Sequence, residues 1–154
     1  MTLGRRLLAV LMTAQAVAGL ARAADDPPVR VTVVVVLASA THAEVNPKLV
    51  ALAQEVQKRH EKLTGFKLAA TLPKSIPVGE SHTFELADGK SMKVTVDTPK
   101  DKGGRIGLTL DAPGLGEFKY TCVCDKFVPV ITPHVTKAGE RLVIAVLAKP
   151  CTGK

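Results

Sequence analysis

The sequence predicts an α+β fold, with one N-terminal strand and one amphipathic helix packed on a mostly antiparallel β-meander sheet. Two observations carry that prediction. Apolar residues recur at three- and four-residue spacing in one stretch only: Leu49, Leu52, Ala53, Val56 and Leu63. From Phe66 onward the apolar period is two, punctuated by Gly and Pro turns, which is the pattern of antiparallel strands with one buried face.

The chain opens with Arg5 and Arg6, a mostly apolar run from Leu7 to Leu20, and small residues flanking Arg22 in Ala21-Arg22-Ala23. A short basic head, an apolar middle and a small-residue end make a secretory signal peptide, too short for a retained membrane span. Gly4-Arg5-Arg6-Leu7-Leu8-Ala9 fits a twin-arginine signal poorly, and no cysteine stands at the cleavage site to carry a lipid. The product is expected to be exported, periplasmic or secreted, from a bacterium. Residues 1–23 are then the signal, 24–30 (ADDPPVR) a disordered leader, and 31–154 a single domain.

Val31 to Ala38 (VTVVVVLA) is a continuous β-branched run, hence a strand covered on both faces and central in its sheet. Asn46 is a good N-cap and Pro47 suits the first helical position, where a missing N–H costs nothing. The stripe carries the helix to Gly65, expected as its left-handed C-terminal residue, with His60 at the helix end. Phe66, Leu68, Ala70 and Leu72 make the next strand. Then His82-Phe84-Leu86 and Met92-Val94-Val96 form a hairpin about Asp88-Gly89. A two-residue turn there would set Phe84 against Lys93, whereas a three-residue loop with Gly89 left-handed sets it against Met92 and keeps one face apolar. Ile106–Leu110, Glu117–Cys124, Phe127–Val135 and Arg141–Ala148 complete the meander.

Pro129 and Pro133 are four apart in one strand, so both missing donors face the same way, as an outer edge tolerates. Residues 127–135 are therefore expected at an edge. Phe127, Val128, Pro129, Val130, Ile131 and Pro133 form the candidate partner surface.

Three cysteines remain after export, and an oxidising compartment pairs two of them. If Lys137-Ala138-Gly139 is the last hairpin loop, paired residue numbers follow from Thr136 facing Glu140, and residue 125 lies opposite Cys151. Cys124–Cys151 is the favoured bridge with Cys122 spare, Cys122–Cys151 comes next, and a Cys122–Cys124 bridge would be strained. The alternative is a metal or redox site built from Cys122, Cys124, Cys151 and His134, although neither zinc spacing nor C-x-x-C is present.

Charge narrows the partners. The whole chain carries 21 basic and 14 acidic residues, a net +7. Removing Arg5, Arg6 and Arg22 with the signal leaves 18 against 14, a net +4. The lysines run from Lys48 to Lys154 without aromatic interleaving, so no nucleic-acid partner is expected, and weak attraction to anionic envelope polymers is the residual effect. No run after the signal reaches the ~20 apolar residues of a membrane helix. No G-x-S-x-G or H-E-x-x-H occurs, and His42, His60, His82 and His134 stand singly. The sequence therefore points to a non-catalytic monomeric domain without a cofactor. Its open sheet edge, or the face opposite the helix, would meet an envelope or secreted protein.

Val31–Ala38, Asn46-Pro47-Lys48-Leu49, Leu63-Thr64-Gly65-Phe66, Gly139-Glu140-Arg141-Leu142 and Lys149-Pro150-Cys151 together resemble small exported proteins of large-genome bacteria, planctomycetes among them. The resemblance spans most of the chain after the signal and implies no activity and no site residues.

Overall fold

The computed structural model describes residues 26–151. The expected signal peptide, the first two leader residues and the last three residues lie outside the described residues. Among the described residues eight strands are formed: β1 (Val29–Ser39), β2 (Gly65–Ile76), β3 (Ser81–Glu85), β4 (Ser91–Thr98), β5 (Arg105–Ala112), β6 (Gly116–Val123), β7 (Val128–Val135) and β8 (Arg141–Pro150). A single 3₁₀ turn, Pro47–Leu49, leads into one short helix, α1 (Val50–Gln57). The protein is thus mostly antiparallel β with one short helix, the coarse class its pattern predicts.

The expected single sheet is corrected. Strands order as β2-β1-β8-β7 in one sheet and β3-β4-β5-β6 in a second. The reason is covering capacity. An eight-residue helix is only ~12 Å long, and it cannot shield the inner rows of every strand. Instead Val31, Val33 and Val35 of β1 and Leu142, Ile144 and Val146 of β8 bury against Met92, Val94, Val96, Ile106, Leu108 and Leu110 of the second sheet. Each such side chain gains about 1.5–3 kcal/mol over exposure. Two twisted sheets stacked through their apolar faces form a sandwich.

The other face of the first sheet carries the helix layer. Val36 and Ala38 of β1 and Val143 and Ala145 of β8 bury against Leu49, Leu52, Ala53, Val56 and Phe66. β1 and β8 thus feed alternate residues into two cores, since successive side chains point to opposite faces. β1 begins at Val29, whose side chain is buried, so the expected leader gives up its last two residues to the strand. In β2 the four apolar residues do not share a face. A bulge at Ala69 shifts the register between Val35 and Val36, leaving Phe66 and Leu68 under the helix and turning Ala70 and Leu72 into the sandwich.

The Asn46 side chain caps the first turn by accepting from the Lys48 N–H at 2.9 Å. The helix is shorter than its stripe: it ends at Gln57, and Leu63 reaches the same core from a turn. The chain must come back to β1, where the Thr64 N–H donates to the Ser39 carbonyl at 2.9 Å. The Gln57 amide, bonded to the Leu63 carbonyl at 3.1 Å, braces that turn. Gly65 is not a left-handed cap. It begins β2, and a Cβ there would stand 2.6 Å from the His42 carbonyl oxygen.

The β3–β4 hairpin pairs Phe84 with Met92 through a three-residue loop, as side-chain parity requires, with Asp88 left-handed as well as Gly89. The first sheet has two edges, β2 and β7, and the second has β3 and β6, so the single open edge expected becomes four.

Candidate functional site

Three places gather side chains with chemistry. The cysteines lie at one end of the sandwich. Cys122, next to last in β6, is buried, with Sγ 3.6 Å from the Val123 and Lys126 carbonyl oxygens. Cys124 follows it, its N–H bonded to the Gly104 carbonyl at 2.8 Å. Cys151 follows β8, its N–H bonded to Pro28 and its Sγ 3.4 Å from Ser75 Oγ, on the β2 side. All three are unbridged thiols, and the geometry that favoured Cys124–Cys151 differs from expectation. Thr136 does face Glu140, but a bulge between Ile131 and Val135 shifts the β7–β8 register by two, and the ladder stops at Val128↔Val146. Cys124 therefore falls in the crossing between sheets, not opposite Cys151.

Burial pushes the Cys122 thiol above its ordinary value, the Ala148 backbone bond opposes this, and the neighbouring Cys124 adds to it. The folded state then holds this proton more tightly than the unfolded state does. Stability owed to Cys122 is unaffected below the ordinary thiol range and declines as pH rises through it. The expected result is that neutral alkylation labels Cys124 and Cys151 and spares Cys122 until denaturant is added, read by intact mass. Labelling of Cys122 at the rate of the other two would refute its burial.

The alternative metal set, Cys122, Cys124, Cys151 and His134, is not brought together among the described residues. His134 is at the opposite end of β7, its Nε2 2.8 Å from Asp88 Oδ2 in the β3–β4 turn. Among the described residues no three His, Cys, Asp or Glu side chains come together as a metal site.

The second place is the expected partner edge. β7 is an edge strand carrying Val128, Pro129, Val130, Ile131 and Pro133, with Phe127 just before it. Its interior side chains Val128 and Val130 are committed to the sandwich core. Pro129 sits in regular register, whereas Pro133 falls in the bulge. Proline supplies no N–H, so an incoming strand would find few donors here. β2 is guarded by the Ala69 bulge, by Pro73, by Lys67 and Lys74, and by Val45, which already bridges to Phe66. These are the devices by which edges resist strand addition.

The third place was not visible as a site in the sequence. The turn after α1 and the start of β8 enclose a cleft of about 570 Å³ lined by Lys58, Arg59, His60, Lys62 and Arg141, with Glu61 as its one carboxylate. Leu63, buried, and Val135, exposed, give it apolar patches. Lys58 is held by Glu55 at 2.8 Å. Arg59, Lys62 and Arg141 have no ion pair among the described residues. Cations after a helix C-terminus complement its dipole, which accounts for Lys58 and Arg59. It does not account for Arg141, half-buried on another strand and on the helix side of the sheet. The run Lys58-Arg59-His60-Glu61-Lys62 was the available signal. Its partner lies some eighty residues further along the chain. A second cleft of about 520 Å³ beside β2 mixes His42 and Lys67 with Glu44 and Glu140, and so carries no comparable charge.

No protein-family model, curated protein or solved structure matches this chain. No family or relative therefore points to catalytic activity. No helix among the described residues is long and apolar enough to cross a membrane.

Proposed function

We propose that the protein is an exported, non-catalytic binding domain that recruits a negatively charged partner at the basic cleft. The observation that carries this reading is the convergence of Arg59, Lys62 and Arg141, from two elements far apart in sequence, with no ion pair to any of the three among the described residues. Like charges held together cost free energy unless something neutralises them, and an anionic ligand would do so. Export rests on the Arg5–Ala23 pattern. The guarded edges of the first sheet, which carries the cleft, favour a partner that docks there on side chains over one that adds a strand.

Charge reversal tests the cleft. Arg59→Glu/Arg141→Glu should elute from immobilised heparin at much lower salt than the parent. Lys93→Glu/Lys119→Glu, on the outer face of the second sheet, makes the same change in net charge and should shift elution far less. Equal shifts would mean that overall charge, and not the cleft, holds the polyanion.

A further inference from the structure

The lining of the basic cleft specifies more than negative charge. Resting on the reading of this cleft as an anion site, we propose that it binds a phosphate ester of a polyol, either free or as the repeating unit of a polymer.

The first support is the donor set. Arg59 and Arg141 present planar guanidinium forks whose paired N–H groups match the oxygens of a phosphoryl group, and Lys62 adds a compact charge. The second is Glu61. An ionised carboxylate only accepts hydrogen bonds, so it repels a bare oxyanion and favours a ligand that also brings hydroxyl donors. The third is the apolar surface. Buried Leu63 and exposed Val135 (46% accessible) offer a place for the C–H face of the ligand body. A volume of about 570 Å³ exceeds the needs of a lone phosphate and lies within the ~300–1,000 Å³ range of small-molecule sites. Gly139, with φ of +81°, has nothing within 4 Å of a Cβ placed there, so the β7–β8 turn leaves the mouth open.

The test is an NMR titration of the ¹⁵N-labelled protein with inorganic phosphate, glycerol, glycerol 1-phosphate and a short glycerol-phosphate oligomer. Glycerol 1-phosphate is expected to bind at least tenfold more tightly than inorganic phosphate, moving the amides of Leu63, Val135 and Gly139, while glycerol alone moves none. Arg141→Gln should weaken both anions about tenfold. Glu61→Gln should erase the preference for the ester without weakening inorganic phosphate. An oligomer that binds no better per unit than the monomer assigns the site to a free ester, and a tighter one assigns it to a polymer. If inorganic phosphate binds as well as the ester, or if Glu61→Gln leaves the preference intact, the polyol assignment is overturned while the anion cleft stands. If no anion moves these amides and charge reversal leaves heparin retention unchanged, the cleft itself is refuted.

Discussion

Phe66→Ala is expected to destabilise the protein by about 3–5 kcal/mol, the usual cost of removing a buried aromatic ring. Phe66 is 2% exposed and lies between β2 and the helix layer, in the same cluster as Leu52, Val56, Val143 and Ala145. Its backbone also anchors the approach to the helix: the Phe66 N–H donates to the Glu44 carbonyl at 2.9 Å, and the Asn46 N–H donates to the Phe66 carbonyl at 3.0 Å. The substitution leaves those main-chain bonds available and removes only the ring, so the loss reports packing of the helix layer. That layer forms one wall of the basic cleft, and anion affinity should weaken with it. Urea denaturation measures the effect, with Phe66→Leu as an intermediate case. A loss below about 1 kcal/mol for alanine would mean that the ring does not hold the helix against the sheet.

Gly114→Ala is the second large effect, expected at about 2–3 kcal/mol from two separate sources. Gly114 has φ of +74°, where an L side chain costs on the order of 1–2 kcal/mol. An added Cβ would also stand 2.5 Å from Cγ of Pro133 and 3.1 Å from its Cδ, so the β5–β6 turn and the β7 bulge would have to separate. The two sources part in a double variant. On a Pro133→Ala background Gly114→Ala meets no clash and keeps the backbone strain, so about half of the loss it causes in the parent should be recovered there. Full recovery would assign the whole effect to the clash, and no recovery would assign it to φ.

The contrast between what was legible and what was not follows from what a pattern of apolar residues encodes. Parity fixed the Phe84↔Met92 register, because a slip by one would have sent every side chain of β4 to the wrong face. The same period of two says nothing about how many sheets the strands enter, and so the split into a sandwich was invisible. The Ala69 bulge was hidden too: Phe66, Leu68, Ala70 and Leu72 keep their spacing while the chain turns over beneath them. Leu63 prolonged the helical stripe although it buries from a turn. The register that placed Cys151 began correctly at Thr136 and was lost at the β7 bulge, which three polar or proline residues (Thr132, Pro133, His134) accommodate. Inside that bulge the buried Thr132 hydroxyl donates to the Leu142 carbonyl at 2.7 Å, a satisfaction no spacing rule forecasts. The cleft went unseen for a simpler reason. Three of its four cations belong to a local run, and the residue that makes it a site arrives on the last strand.

The last strand has a further consequence, for the order of events in folding. β8 lies between β1 and β7 at the centre of the first sheet and sends alternate side chains into both cores, pairing Val29 with Pro150 across nearly the whole chain. Contacts of such long sequence separation close late and slowly. Until residues 141–150 have emerged, β1 has only β2 beside it, and neither the sandwich nor the helix layer has its central wall. A chain that emerges amino-terminus first would therefore stay pliable until residues 141–150 were free to pair, then close both cores together.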